Sequence, residues 1–571
     1  MNKSKLDRIV YDNIREEIIN QTADLDKNQV VELLVQMAWK ADYSKQVSAI
    51  TRNAQFKSGS EVVQLSLFDK DSLEPVSDEV QEQIDSFNKK HLKELKDAKE
   101  LILDRIGKLE KIIEKRESAA AQTSKKKSVK NRQPDSVEYR AVAEEVCPVC
   151  GAALEKIGTK SRYKIKMKPI EIILEEEVLE TKKCPNECVD QDGALVLYTA
   201  EPAEPSLFSG SNATESLVAG LAYNKLIQGT PLYRMEKDFQ RQGVELSRQT
   251  MSNVLMMGAE QYLMPVYEKI LSDFRGLNIV HVDETTLKCL QLREERKTSY
   301  MIAGVSGEHE EKQMAVYQFS ASRAQTFVTQ LLGSEFSGVL MTDGLQAYEN
   351  YPGTTHLNCM THARRKIYEA LICRDDYKRF SRLKDYDQRV EYLEKNPSLN
   401  ILISALRGFD DLYRIEANAR YYSPEIIQEM RQEISTGVFS ELSKTMTDIR
   451  NGFVESSVAS KAAAYFLARE ESLKKYMENG EYPIDNNRAE RMIKPFVIAR
   501  KNFLFANTER GAQMAGCYMT LLQSAVLNGL NPFEYLVYVL HTLKMKGISE
   551  QVINEILPYS AELPERLKVT V

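Results

Sequence analysis

The sequence of 571 residues lacks long hydrophobic runs, is poor in cysteine and has no excess of positive charge. No apolar stretch approaches the roughly 20 residues that a membrane-spanning helix requires. The N-terminal residues MNKSKLDR are charged but are not followed by an apolar segment, so they do not resemble a secretory signal. We therefore expect a cytoplasmic protein that makes no contact with membranes.

A formal net charge of −6 gives no sign of general nucleic-acid binding, so any contact with DNA must come from local basic patches. Eight cysteines are too few for a disulfide framework in a chain of this length. The apolar content of 43% and the charged content of 28% are typical of a globular protein. The length predicts several domains.

Four of the cysteines form two close pairs, Cys147-Pro-Val-Cys150 and Cys184-Pro-Asn-Glu-Cys188. Paired thiolates at this spacing are typical of tetrahedral zinc sites. Strand-like sequence between the pairs indicates a zinc ribbon over residues 141–200. The alternative of four unrelated buried thiols leaves the proline inside each pair unexplained. Because protein ligands fill all four positions, the expected Zn²⁺ is structural.

The N-terminal part of the chain is predicted to be helical, with two linkers. Residues 1–56 form a helical region, 57–78 a linker, 79–117 a long helix and 118–140 a basic linker. The long helix carries a heptad seam, formed by Leu92, Leu95, Lys99, Ile102, Ile106, Leu109 and Ile113. This seam fits a dimerising coiled coil and an intramolecular helical hairpin about equally well.

Residues 201–270 contain a helix-turn-helix pattern. An amphipathic helix over 231–242 is followed by Gly243, and a second helix begins after Ser247, a residue type that caps helices. Arg248 and Gln249 then stand at the start of the second helix, where contacts to DNA are usually made. An ordinary helical hairpin would give the same pattern.

Residues 271–375 change to a strand pattern. The strand at 279–282 ends at Asp283 and Glu284, and a later strand at 338–342 ends at Asp343. Further strands are expected at 298–305, 313–319 and 355–358. This order is that of a ribonuclease-H-like α/β core, in which the first and fourth strands are neighbours. Asp283 and Asp343 would then stand at adjacent strand ends, with Asp283 facing the site and Glu284 turned away.

Residues 376–478 are predicted to be a helical insertion, 479–506 the second part of the core and 507–571 a helical C-terminal region. Asp485 or Asn486 can cap a helix that carries Glu490. Six basic residues surround this glutamate between 486 and 510, namely Arg488, Arg491, Lys494, Arg500, Lys501 and Arg510. A carboxylate in a basic patch suits a phosphodiester enzyme, whereas a surface pair of Glu490 with Lys494 is the simpler alternative.

Carboxylates on separate elements are suited to magnesium, because hard divalent cations prefer oxygen ligands. Two such ions can activate a nucleophile and stabilise a leaving oxygen in phosphodiester cleavage. Histidine is a poorer ligand for Mg²⁺, so we interpret His281, His356 and His362 as structural residues or phosphate contacts. The Cys-x-x-His spacing of Cys359 and His362 would allow a second zinc, but we favour local packing there.

The motifs HVDET, MTDGLQAYENY, CMTHARRK, IDNNRAERMIKPF and ARKNFLFANTERGAQMA, in this order, resemble the transposases of the insertion-sequence 66 group, a bacterial family of DDE transposases. The resemblance extends upstream through GTPLYRMEKDFQRQGVELSRQT, the cysteine pairs and LSLFDK. It implies a metal-binding triad of Asp283, Asp343 and Glu490. The sequence departs from the family pattern in two places. The second cysteine pair has a three-residue spacer, and Met301 stands where tryptophan is common in the family.

The resemblance also implies cofactors and partners. The cofactors are two Mg²⁺ or Mn²⁺ ions and a structural Zn²⁺. The partners are transposon-end and target DNA, further copies of the chain and accessory proteins of the same element, in a nucleoid-associated bacterial protein. Candidate DNA contacts are Arg248, Gln249, Arg364, Arg365, Lys366, Arg488, Arg491, Arg500 and Lys501. The fold class is multidomain α+β.

Two other functions fit the same residues. A nuclease on this fold would hydrolyse DNA without joining it, and a non-catalytic regulator would bind DNA without cutting it.

Overall fold

The structure is a computed structural model that describes residues 78–91, 172, 181–183, 197–199, 204–292, 298–322, 326–349, 351–383 and 385–569. Several sequence predictions lie outside these residues: the helical region 1–56, the linker to residue 77, the heptad seam, the basic linker and the four zinc-ribbon cysteines. The chain divides into two units. The first contains the described part of Met1–Lys90 with Asn278–Asp283 and Glu335–Arg488, and the second contains the described remainder.

Seven strands are present in the described residues. They are β1 (Thr181–Lys183), β2 (Leu197–Thr199), β3 (Ile279–Leu287), β4 (Ser299–Ser306), β5 (Ala315–Ser320), β6 (Val339–Thr342) and β7 (Thr355–Asn358). Strands β1 and β2 form an antiparallel pair. The other five form a mixed sheet in the order β5-β4-β3-β6-β7. The expectation that the first and fourth strands of this sheet are neighbours is confirmed.

The α-helices of the described residues are α1 (Asp78–Lys90), α2 (Glu215–Leu226), α3 (Leu232–Arg241), α4 (Arg248–Gly258), α5 (Met264–Phe274), α6 (Thr326–Leu332), α7 (Gln346–Glu349), α8 (Met360–Ile372), α9 (Asp375–Phe380), α10 (Tyr386–Lys395), α11 (Pro397–Ala419), α12 (Pro424–Met430), α13 (Thr436–Gly452), α14 (Val458–Leu467), α15 (Glu470–Lys474), α16 (Asn487–Phe503), α17 (Glu509–Leu527), α18 (Pro532–Lys546) and α19 (Glu550–Ile556). No helix among them is long and apolar enough to cross a membrane.

The parallel neighbours β3 and β6 are apolar where both of their faces are covered. All four residues of β6 are buried, and so are the first four residues of β3. Burial on both faces is typical of parallel sheets, which explains the near-continuous apolar sequence of both strands. The exposure of β3 rises at Asp283, where the strand leaves the core.

The helical insertion of the first unit is built around α11, which buries eleven of its side chains. Aromatic side chains fill much of this core, for example Phe409 against Phe466 with ring centroids 5.9 Å apart. Helix α1 also packs here, since Lys90 forms ion pairs with Glu429 at 2.8 Å and Glu433 at 2.7 Å. The predicted helical character of 376–478 is therefore correct.

In the second unit, helix α17 protects the edge strand β5. The backbone N–H of Tyr317 donates to Thr520 Oγ1 at 2.8 Å, and that of Ala315 donates to Ser524 Oγ at 3.0 Å. A Cβ at Gly516 would lie 2.7 Å from the Tyr317 carbonyl oxygen, so only glycine permits this approach. Polar helix residues thus satisfy donors that an edge strand otherwise leaves open to pairing with other chains.

Candidate active site

Asp283 lies within β3 and Asp343 directly follows β6, its parallel neighbour in the sheet. The prediction that the first strand ends at Asp283 is wrong, because β3 continues to Leu287. The register of β3 and β6 pairs Ile279 with Val339 and His281 with Met341. Continuing this register by two residues reaches Asp283 on one strand and Asp343 after the other. Both side chains are half-buried. Two carboxylates therefore stand at the same level of the sheet, as the sequence predicted.

The turn that carries Asp343 is held by its own backbone and by the helical insertion. Asp343 Oδ1 accepts a hydrogen bond from the N–H of Leu345 at 3.0 Å. The Tyr465 hydroxyl donates to the Asp343 carbonyl oxygen at 2.5 Å, and Arg469 Nη2 donates to the Gly344 carbonyl oxygen at 2.9 Å. These bonds fix the direction in which the carboxylate leaves the sheet.

Gly344 is required at this turn for two reasons. Its φ of +90° is a conformation that residues with a Cβ rarely adopt. A Cβ there would also lie 2.5 Å from Arg469 Nε, 2.7 Å from Asn358 Oδ1 and 2.9 Å from the Tyr465 hydroxyl. Three side chains therefore enclose the backbone at Gly344, which explains why glycine follows Asp343.

His356 on β7 supports the same turn as a neutral side chain. Its Nε2 lies 2.9 Å from Thr342 Oγ1. Burial, with smaller contributions from Lys475 and Arg469, lowers the pKa of His356 to about 4. The imidazole is thus uncharged near neutral pH, in agreement with its interpretation as a structural residue.

Asn486 connects the segment before α16 to strand β3. Its Nδ2 donates to the Val282 carbonyl oxygen at 2.8 Å, and its Oδ1 lies 3.3 Å from His281 Nδ1. Its backbone N–H donates to Cys359 Sγ at 3.1 Å. The side chain is fully buried. One amide therefore fixes the start of α16 against the residue that precedes Asp283, and His281 and Cys359 are local packing partners.

Glu490 is the fourth residue of α16 and is 8% exposed. Asp485 precedes the helix and accepts hydrogen bonds from the backbone N–H of Asn487 at 3.0 Å and from its side-chain amide at 2.7 Å. An acidic residue in the first turn is favoured by the positive end of the helix dipole. The predicted cap and the predicted helix are both present.

Arg500, near the end of α16 in the second unit, holds the outer part of β3. Its Nη1 donates to Thr285 Oγ1 at 3.0 Å and to Thr286 Oγ1 at 2.9 Å, and it also contacts the Thr286 carbonyl oxygen. Burial lowers the pKa of this guanidinium. Arg500 therefore orders the strand beyond Asp283 and Glu284, a role that its place in a basic run did not reveal.

Arg364 is a correction to the predicted set of DNA contacts. It is 4% exposed, and its guanidinium pairs with Asp410 at 2.6 Å. A guanidinium enclosed in this way stabilises the packing of α8 on α11 and is not displayed to a ligand. Its neighbour Lys366 lies with Nζ 4.5 Å from the centroid of the Tyr465 ring, next to the Asp343 turn.

The other predicted DNA contacts have varied environments. Arg248 and Gln249 are the exposed first residues of α4, after the Ser247 cap, whose hydroxyl accepts from the Thr250 N–H. Arg491 and Lys501 are exposed, and Arg365 and Arg488 are half-buried. The two helices α3 and α4 and the turn at Gly243, with a φ of +82°, are present as predicted. Their contact with DNA remains a prediction.

Three residues that support the site were not identified from the sequence. Tyr465 and Arg469 lie in the insertion, where no motif indicates that they reach the Asp343 turn. Asn486 appeared only as a candidate cap, although the unusual pair of asparagines in IDNN was a usable signal.

The oxygen donors of Asp283 and Asp343 fit a hard divalent cation, since carboxylates from separate strands are the ligands that Mg²⁺ accepts. A second acidic cluster in the second unit has Glu204, Glu215 and His541 with ligand atoms within 4.8 Å of one another. There, the Lys544 ammonium already lies 2.7 Å from Glu204 and 2.5 Å from Glu215. The Lys544 ammonium therefore already offsets part of the negative charge of this cluster.

Comparison with known proteins gives one family and several relatives. The model of the family described as "Transposase IS66 family" matches residues 210–514. Three uncharacterized proteins of Sinorhizobium fredii (strain NBRC 101917 / NGR234) are similar to the chain. Protein y4jD is 27% identical over 72% of this chain and 78% of its own length, y4qI 28% over 73% and 75%, and y4hP 26% over 78% and 79%.

Proposed function

Because the chain belongs to the IS66 transposase family, we propose that it is a DNA transposase that cuts at transposon ends and joins the resulting 3′-hydroxyl to target DNA. The proposed catalytic triad is Asp283, Asp343 and Glu490. The observation that carries this proposal is the parallel register of β3 and β6, which brings Asp283 and Asp343 to one level of the sheet.

The strand order β5-β4-β3-β6-β7 supports a ribonuclease-H-like core. In such a core the acidic residues come from the first and fourth strands, in agreement with Asp283 within β3 and Asp343 directly after β6. The helical insertion then supplies Tyr465 and Arg469 to the turn after β6.

We infer that the carboxylates of Asp283, Asp343 and Glu490 hold two Mg²⁺ or Mn²⁺ ions. When bound, such ions activate the attacking oxygen and stabilise the leaving oxygen of a phosphodiester. Asp283 and Asp343 would hold these ions, and the bonds from Tyr465 and Arg469 to the backbone of Asp343 and Gly344 keep that turn in position. Glu490 completes the set from the first turn of α16.

Recognition of the transposon ends is assigned to α3 and α4, with Arg248 and Gln249 at the start of the second helix, and to the predicted zinc ribbon. Arg491 and Lys501 are exposed cations suited to phosphate contacts. Pairing of two ends requires further copies of the chain, to which the predicted coiled coil and accessory proteins of the same element would contribute.

The decisive experiment incubates the purified chain with Mg²⁺ and DNA that carries the terminal repeats of its element, and separates nicked and joined products on a gel. Asp283→Asn, Asp343→Asn and Glu490→Gln should each abolish both products, while Glu284→Gln, the matched control, should retain most activity. Wild-type activity in all three triad variants would contradict the assignment.

The same gel tests the two other functions. Cleavage without joined product would identify a nuclease. Metal-independent binding without cleavage would identify a regulator, which the pair of carboxylates at adjacent strand ends argues against.

A further inference from the structure

A cavity of about 470 Å³ lies in the second unit, lined by residues of α2, α3, α4 and the end of α16. Its volume is within the range of small-molecule pockets. Three cations line it: Lys225, Arg234 and Arg248. None of the described residues that line the cavity carries a carboxylate, although the Glu236 carboxylate accepts a hydrogen bond from the backbone N–H of Arg248 at 3.0 Å. The charged side chains of this lining are therefore of one sign, which favours an anionic ligand.

None of the described carboxylates forms an ion pair with Lys225, Arg234 or Arg248. Burial lowers the pKa of Lys225, whose Nζ lies 5.7 Å from the centroid of the Phe503 ring. Partial removal of a cation from water is costly when no counter-ion offsets it. An anion in the cavity would supply the missing charge.

Aromatic and amide groups share the cavity with these cations. Tyr233 is 54% exposed, with no ring stacked on it among the described residues, and Phe503 forms part of the opposite lining. Asn502 and Asn507 add donors and acceptors of the kind that read base edges. Cationic, aromatic and amide groups together are the combination with which proteins bind unpaired nucleotides.

The lining is fixed in place by its surroundings. Asn502 Nδ2 donates to the Ile498 carbonyl oxygen at 3.0 Å, and a Cβ at Gly229 would lie 2.8 Å from that same nitrogen. The backbone of Asn507 accepts from the Gln291 N–H at 3.1 Å, and that of Ala506 accepts from the Leu290 N–H at 2.9 Å. The cavity is thus joined by backbone bonds to the segment that follows β3, the strand of Asp283.

We propose that this cavity binds one unstacked nucleotide of the DNA, with its phosphate on Lys225, Arg234 and Arg248 and its base against Tyr233. This inference rests on the proposed function, because it assigns a place to a nucleotide of the same substrate. It places an unpaired nucleotide at a frayed or cut end in contact with the helix-turn-helix and the end of α16.

The test measures binding of the full-length chain in EDTA, so that no cleavage occurs. Fluorescence anisotropy compares a blunt duplex with the same duplex carrying one unpaired terminal nucleotide. Tyr233→Ala should weaken binding of the overhang DNA by about 5- to 100-fold, the range of one base–aromatic stack, and should leave blunt DNA unchanged. Tyr233→Phe should retain wild-type binding of both.

Tyr386→Ala is the matched control, because it removes an exposed tyrosine from another part of the chain. Equal affinity of Tyr233→Ala and wild type for the overhang DNA, or an equal loss for both DNAs, would overturn the inference while leaving the proposed function intact. Failure of the wild-type chain to bind either DNA would contradict both.

Discussion

Arg364 is a buried cation and Lys225 is a half-buried one, and their surroundings differ in one respect. Arg364 pairs with Asp410 at 2.6 Å, whereas Lys225 has an aromatic ring near it but no carboxylate among the described residues. The sequence favoured Arg364 as a DNA contact, because it stands in a run of basic residues, and gave no reason to select Lys225. The comparison shows that the counter-ion, rather than the local density of basic residues, distinguishes a structural cation from a ligand-binding one.

The largest effect is expected when the buried pair is broken. Arg364→Met leaves the Asp410 carboxylate buried without its cation, and removal of one partner from such a pair typically costs about 3–5 kcal/mol. The urea midpoint of the first unit should fall markedly. Arg379→Met, which removes an exposed arginine, should leave the midpoint unchanged. A midpoint equal to wild type for Arg364→Met would show that the pair does not stabilise the fold.

Lys225→Met should preserve stability but weaken DNA binding, in contrast to Arg364→Met. Lys225 is half-buried and has no described carboxylate as a partner, so its removal relieves part of a desolvation cost and the thermal midpoint should stay the same or rise slightly. The affinity for DNA with an unpaired terminal nucleotide should fall by about tenfold, as expected for the loss of one charged hydrogen bond of about 1.5 kcal/mol. Arg566→Ala removes an exposed cation of the same unit and serves as the control. A fall in stability without loss of affinity would make Lys225 a structural residue.

Lys366 contacts an aromatic ring and is partly exposed, so its replacement should change the stability less than the replacement of Arg364. It faces the ring of Tyr465 at 4.5 Å, and a cation–π contact at a partly exposed site contributes about 0.5–1 kcal/mol. Lys366→Met should therefore lower the urea midpoint slightly. Tyr465→Phe should preserve that contact but remove the hydroxyl that holds the Asp343 turn, so it should reduce the cleavage rate several-fold. An unchanged rate would separate Tyr465 from catalysis.

The sequence predicted the features that depend on local pattern. The apolar start of β3, the end of β6 before Asp343, the cap before Glu490 and the two helices around Gly243 all follow from residues close to one another in the chain. The end of β3 was predicted too early, because the strand continues to Leu287. It could not predict the contacts of Tyr465, Arg469 and Arg500, because each depends on where a distant element comes to lie. For the same reason it misjudged Arg364, whose partner Asp410 is 46 residues away.

The bond between Asn486 and strand β3 can form only late in the synthesis of the chain. Asn486 lies 205 residues after His281 and 204 after Val282, its two partners there. At a synthesis rate of about 5–20 residues per second, β3 leaves the ribosome roughly 10 to 40 s before the residue that fixes α16 to it. Asp343 is synthesised 60 residues after Asp283, and Glu490 follows only at the end of that interval. If the proposed triad is correct, a partly made copy lacks one of its carboxylates until α16 has been synthesised.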